Sequence, residues 1–229
     1  IPYKSILNGD AFNSHTWDLG NSNTSTLQNP GATYNTPGTY TVTLTVTDGV
    51  TNDTETKTAY ITVFANPTAN FSGAPTSGCL PLSVSFSDLS TPGSGAINQW
   101  FWDFGDGQNS AQQNPTHIYT SPGSKTVSLV VTDVNGCTKS ITIPNYINAF
   151  NGPNAAFSAT STSSCTVPFN VNFSNSSTGG GGLTYQWIFP GGTPASSVLL
   201  NPSVTYNAAG SYNVTLVVTD GGGCKDTLV

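Results

Sequence analysis

The 229-residue chain contains no arginine and no methionine, and its five basic residues are all lysine. Charged side chains make up 7% of it, against about 25% in an ordinary globular domain. The formal charge is −6. Neutralising nucleic-acid phosphates takes clustered Lys and Arg, so the composition argues against a nucleic-acid partner. No apolar run approaches the ~18 residues of a membrane-spanning helix, and membrane insertion is not expected. No stretch reads as a signal peptide, so the segment is expected to be mature or cut from something longer. The only histidines are His15 and His117, and no Cys-x-x-Cys spacing occurs, which leaves little material for a zinc site or a Ser-His-Asp triad. Thr, Ser, Asn and Gly fill the polar positions instead. Such a hydroxyl- and amide-rich surface suits an extracellular stalk better than a cytosolic enzyme.

The chain repeats itself. Trp17-Asp18-Leu19-Gly20 returns as Trp102-Asp103-Phe104-Gly105, and Asn29-Pro30, Pro37-Gly38 and Thr47-Asp48 return at the same offset of 85. Trp187 lies another 85 on, while Asn201-Pro202 and Thr219-Asp220 follow their counterparts by 87, which places a two-residue insertion near Pro190–Ser197. Within each unit apolar and polar residues alternate strictly. Tyr40, Val42, Leu44 and Val46 have counterparts in Val127, Leu129 and Val131, and in Tyr212, Val214, Leu216 and Val218. Trp100, Trp102 and Phe104 alternate, as do Tyr185, Trp187 and Phe189; Leu82-Val84-Phe86 and Phe169-Val171-Phe173 add another inward strand. A period of two with β-branched residues predicts strands with one buried face, and Gly, Pro, Asn and Asp clusters separate them. Nothing reads as a helix. The fold class expected is all-β: tandem immunoglobulin-like sandwiches over 1–65, 66–150 and 151–229, the terminal units incomplete.

The run Trp102–Gly107, then Asn114–Tyr119, then Pro122–Asp133, resembles the PKD (polycystic-kidney-disease) domain, a repeat of bacterial surface and secreted proteins. The second unit matches throughout. The first has Asn21 for the second Asp, and the third reads Trp187-Ile-Phe-Pro-Gly-Gly, without either acid. The resemblance specifies a fold, which hosts many roles.

Two readings of Asp103 and Asp106 follow. In the first, the carboxylates cap backbone N–H groups at a strand end while Gly105 and Gly107 supply positive φ at a tight corner. In the second, which the resemblance offers because some PKD domains bind calcium near this corner, Asp103, Asp106 and Asp133 contribute to the six to eight oxygens that Ca²⁺ takes. Acid–base catalysis lacks a third polar partner, and no catalytic residue or obligatory cofactor is assigned. His117 stands where the other units have Ala32 and Val204, and reads as a covering residue. His15 aligns with Trp100 and Tyr185, an aromatic slot. Tyr3, Tyr34 and Tyr146 are candidates for stacking on sugars, though single tyrosines on sandwiches usually pack. Gly179–Gly182 lacks the Lys-Ser/Thr of a phosphate loop.

Cys79 and Cys137 are 58 residues apart, Cys165 and Cys224 are 59 apart, and each pair occupies the same places in its unit. The first unit has neither. Presence and absence in pairs predicts the disulfides Cys79–Cys137 and Cys165–Cys224, and an oxidising, extracytoplasmic setting.

Measured back from Trp17, residue 1 aligns with Phe86, so the first unit is expected to lack its first strands. The third is expected to lack the last strand, which Ile143–Phe150 completes in the second. The sequence therefore predicts a non-enzymatic extracellular structural protein on a bacterial surface: a stalk, adhesin shaft or head-to-tail filament subunit. Its expected partners are other copies of itself, joined by strand addition, and glycans. The alternative is a polysaccharide- or Ca-binding accessory module of a secreted enzyme.

Overall fold

A computed structural model describes residues 14–229. Every regular element in that range is a β-strand. By contacts the chain forms two compact units, one gathering the first repeat with 90–99 and 130–140, the other comprising 70–89, 100–129 and 141–229.

In the first repeat one antiparallel sheet is ordered Thr24–Ser25, Ser14–Asp18, Gly38–Thr47, Asn52–Val63. Its closing strand pairs with the whole length of its neighbour, from Thr47↔Asn52 to Gly38↔Val63, with a bulge at Tyr40/Val42. The expected absence of this repeat's first strands falls outside the described residues. The linker that follows is tied back locally. Thr68 and Thr91 exchange backbone hydrogen bonds, each 2.9 Å, and Ser94 N donates to Ala65 O at 3.1 Å.

The second repeat has two sheets. One orders Thr116–Tyr119, Leu82–Asp88 and Phe71–Ala74; the other orders Ser77–Cys79, Thr138–Phe150, Gly123–Asp133, Ile97–Asp103 and Asn109–Ser110. Leu82–Asp88 pairs antiparallel with both Thr116–Tyr119 and Phe71–Ala74, and Ile97–Asp103 antiparallel with Asn109–Ser110, whereas Ser77–Cys79 runs parallel to Asn148–Phe150, the exit end of the closing strand. The third repeat likewise has two four-stranded sheets, Phe157–Ala159, Phe169–Asn175, Ser203–Tyr206, Gly192–Thr193, and Ser196–Ser197, Thr184–Ile188, Thr215–Thr219, Lys225–Leu228.

The predicted alternation points inward as expected. Val84, Phe86, Trp102, Phe104, Val127, Leu129 and Val131 are buried in the second repeat, and Val171, Phe173, Trp187, Phe189, Leu216 and Val218 in the third. Trp102 meets Phe71 edge-on at 5.3 Å and Phe86 at 5.4 Å; Trp187 meets Phe157 at 5.2 Å and Phe173 at 5.6 Å. Each indole also satisfies its N–H. Trp102 Nε1 donates to Gln112 O at 2.9 Å, and Trp187 Nε1 to Leu199 O at 3.0 Å. Trp17, expected to match them, is only half-buried, and its Nε1 has no partner among the described residues. Described residues of the first repeat supply no counterparts of Phe71 and Phe86, which cover Trp102, or of Phe157 and Phe173, which cover Trp187.

Trp102→Ala and Trp187→Ala are each expected to cost ~3–5 kcal/mol, the range for emptying a large aromatic site in a core. Trp17→Ala is expected to cost less than either. Chemical denaturation, following the transition of each repeat separately, checks the ranking; a loss under ~1 kcal/mol at Trp102 is incompatible with this packing.

Candidate functional site

The Trp102–Gly107 corner is built from its own side chains. Asp103 closes its strand and accepts the Gly105 N–H at Oδ1, 2.9 Å. Asp106 accepts the Gln108 N–H at Oδ1, 3.1 Å. Gly105 turns the chain with φ +76°, and a Cβ there would stand 2.2 Å from Thr126 O, so only glycine fits. The first repeat reproduces this arrangement. Asp18 Oδ1 accepts Gly20 N at 2.9 Å, and Gly20 has φ +77° with Thr41 O 2.3 Å from its missing Cβ. The corner is then locked by a tyrosine from across the sandwich: Tyr34 donates to Leu19 O at 2.8 Å, and Tyr119 to Phe104 O at 3.1 Å. In the third repeat the acids are gone and the corner is longer by two residues. Tyr206, the counterpart tyrosine, is buried with its hydroxyl unpartnered among the described residues and stacks instead on Tyr212 at 4.6 Å.

The second repeat adds a pair that residue types alone did not reveal. His117 Nε2 lies 2.8 Å from Asp106 Oδ2, with the two side chains 8% and 9% exposed. The imidazole stacks on Phe104 at 4.1 Å with 5° between the planes, and meets Tyr119 edge-on at 4.6 Å. The Tyr119 hydroxyl is pushed well above the usual phenol range, chiefly by burial and then by the charges of Asp106 and Asp103. A phenol held protonated is a hydrogen-bond donor, which is the role it plays toward Phe104 O. The signal in the sequence was joint loss: the first repeat has Asn21 with Ala32, the third Gly191 with Val204. A histidine that disappears together with the acid it touches is a partner, not a filler.

Asp103 and Asp106 therefore shape one corner. Asp133 stands elsewhere: its Oδ1 accepts Asn135 N and Cys137 N, each 2.9 Å, in the turn after its strand, and its buried Oδ2 has no hydrogen-bond partner among the described residues. Asp220 caps the matching turn of the third repeat through Gly222 N and Cys224 N, also 2.9 Å each. Among the described residues no three acidic, His or Cys side chains converge on a point that would hold a metal ion. Of the tyrosines considered for sugars, Tyr34 packs at 4.5 Å against Tyr40 and Tyr146 at 5.2 Å against Phe71, with Gly73 N donating to the Tyr146 hydroxyl at 2.6 Å. Tyr3 lies outside the described residues. His15 is half-buried in its strand, facing Val46 across the sheet.

The cysteines require a correction. Cys79 bonds Cys224, while Cys137 and Cys165 are free thiols, the latter exposed. Neither Cys79–Cys137 nor Cys165–Cys224 forms: strand length separates the first pair, and the second loses Cys224 to Cys79. Cys79 pairs with Phe150, at the end of the 13-residue strand that begins one residue after Cys137. Thirteen residues of extended chain span roughly 40 Å, whereas a disulfide needs Cα atoms within about 7 Å. The exit of that strand leads directly to the third repeat. There the Phe150 ring lies 3.0 Å from where a Cβ on Gly222 would be, and Cys224 Cβ is 3.5 Å from the same point on Gly152. The bond thus staples the start of the second sandwich to a turn of the third.

The PKD domain family matches over 4–63, 64–149 and 151–229. A microbial collagenase of Vibrio alginolyticus is 46% identical over 71 residues, 31% of this chain and 9% of the collagenase. Collagenase ColQ1 of Bacillus cereus is 42% identical over 71 residues, 31% of this chain and 7% of that protein. The chain thus spans less than a tenth of the length of these curated relatives. Among solved structures, the PKD1 domain of Vibrio anguillarum Epp is 36% identical, covering 38% of this chain and 99% of the domain, with a TM-score of 0.34.

Two outcomes are expected. Asp106→Asn and His117→Ala should each destabilise the second repeat by ~1–3 kcal/mol, since each strips a buried polar group of its partner. The double variant, which recreates the Asn21/Ala32 combination, should cost clearly less than the sum, and strict additivity in a double-mutant cycle contradicts the pairing. Non-reducing peptide mapping should recover a Cys79–Cys224 cross-linked peptide, with Cys137 and Cys165 alkylated; a Cys79–Cys137 peptide contradicts the assignment.

Proposed function

The chain belongs to the PKD domain family, and on that premise we propose that it is a non-catalytic accessory array of a larger extracellular protein, serving as a stiff spacer beside the part that acts. The observation that carries this reading is the staple. Adjacent sandwiches joined by a few residues ordinarily move relative to one another. Here a disulfide crosses the joint between the second and third, Phe150 packs beside Gly222, and Ala155 N donates to Asp226 Oδ2 at 2.8 Å just past the linker. A disulfide also suits an oxidising, extracytoplasmic setting. The acidic residues support a non-catalytic role for these domains, because Asp18, Asp103, Asp133 and Asp220 all accept backbone N–H groups of their own turns. The relatives named collagenases carry similar stretches within far longer chains, which favours an accessory role over a free-standing filament. By that analogy the larger protein is a secreted hydrolase of macromolecular substrates.

The test is ¹⁵N relaxation of the intact chain. The second and third sandwiches should tumble with one correlation time when oxidised and with separate, shorter ones in the Cys79→Ser/Cys224→Ser variant. Independent tumbling of the oxidised pair overturns the spacer reading. Saturable retention of the chain on insoluble collagen or cellulose would replace it with a substrate-binding one.

A further inference from the structure

A cleft of about 400 Å³ opens beside the corner of the first repeat, between 20–23 on one side and 33–40 on the other. Its walls are held by side chains bonded to main chain. Asn21 Nδ2 donates to Thr33 O at 3.0 Å and so ties one wall to the other, while Asn21 Oδ1 accepts Asn23 N at 3.2 Å. Tyr40 donates to Thr36 O at 2.6 Å, and its ring lies 4.5 Å from that of Tyr34. Ser22 turns the chain at the tip of the corner with φ +68°, a left-handed conformation uncommon outside glycine.

None of the residues that line the cleft carries a charge. Ser22, Asn23, Thr33 and Asn35 are exposed there, and their hydroxyls and side-chain amides make no hydrogen bond among the described residues. The Tyr40 ring adds an apolar surface between them. The second repeat, in which both sheets are described, shows that a complete sandwich leaves this face open: Gln108, Ile118 and Thr120, the counterparts of Asn23, Thr33 and Asn35, are all exposed. It also shows that the lining is particular to the first repeat. There Asp106 stands for Asn21 and is taken by His117, Ile118 stands for Thr33, and Lys125 for Tyr40.

We propose that this cleft binds a neutral saccharide. Sugar hydroxyls donate and accept at once, which is what side-chain amides and hydroxyls complement, and the C–H face of a sugar ring packs on an aromatic ring. A charged ligand meets no opposite charge in the cleft, and an apolar one strips its amides and hydroxyls of water without replacing the bonds. The volume falls low in the range of ligand pockets, roughly 300–1,000 Å³, and suits one or two sugar rings. Asn23 and Asn35 take hydroxyls from opposite walls, and Tyr40 takes a ring face. This goes beyond the spacer role. That role rests on the joint between the second and third sandwiches, so either reading can fail without the other.

The probes are maltose, lactose and N,N′-diacetylchitobiose, each titrated into the ¹⁵N-labelled full chain. At least one is expected to give saturable 1:1 shifts at millimolar concentration, confined to the amides of 20–23 and 33–40. No saturable shift with any of the three at tens of millimolar, or shifts centred elsewhere, overturns the proposal. Asn23→Ala and Asn35→Ala should each weaken binding by roughly two- to tenfold, the loss for one neutral hydrogen bond. Neither side chain holds the fold, so the denaturation midpoint should stay unchanged in both. Undiminished affinity in the two variants overturns the proposal equally.

Discussion

A sandwich of about 85 residues with almost no charge has one large object to hide, the indole at its centre. Trp102 and Trp187 are fully buried, and both face the same problem: an apolar surface that must be covered by aromatics from the opposite sheet, and an N–H that must find an acceptor away from water. Phe71 with Phe86, and Phe157 with Phe173, solve the first; main-chain carbonyls 10 and 12 residues downstream solve the second. Once the indole is fixed, the corner that follows it has to turn sharply, and the Asp-x-Gly step provides that turn. At Trp17, for which the described residues supply no such aromatics, the indole is only half-buried and its buried Nε1 has no partner among the described residues.

The acids of the corner take part in the same local packing. The corner at Trp102–Gly107 gathers two carboxylates, an imidazole and a phenol within a few ångströms, which is the composition of many reactive centres. Here each member makes a contact that shapes the fold. Asp103 and Asp106 hold backbone N–H groups, His117 holds the other oxygen of Asp106 while covering Phe104, and Tyr119 closes the corner. The first repeat dispenses with the histidine by exchanging the acid for Asn21, whose Oδ1 accepts Asn23 N at 3.2 Å and whose Nδ2 donates to Thr33 O at 3.0 Å. An amide that satisfies itself locally needs no buried imidazole.

The strands, their inward faces and the three-fold repeat were legible because they rest on a period of two and on glycines with no alternative residue, such as Gly20 and Gly105. The disulfide was not. Start and turn cysteines alternate along the chain, so the spacings of 58 and 59 within repeats do not say whether a start cysteine bonds the turn of its own repeat or, 145 residues on, that of the next. Only the parallel pairing of Ser77–Cys79 with the far end of the closing strand decides between them, and no local pattern announces a three-residue parallel strand. The His117–Asp106 contact was hidden for a different reason: comparing His117 with Ala32 and Val204 one position at a time suggests indifference, while comparing two positions at once shows that they change together.

The indoles of the second and third sandwiches are sealed in equivalent cores, and hydrogen exchange of their Nε1 protons measures that directly. Both protons should exchange only through opening of the whole sandwich, with protection approaching that of the slowest backbone amides in Gly123–Asp133 and Thr215–Thr219. Exchange of Trp102 or Trp187 Nε1 at the rate of a surface group would contradict it.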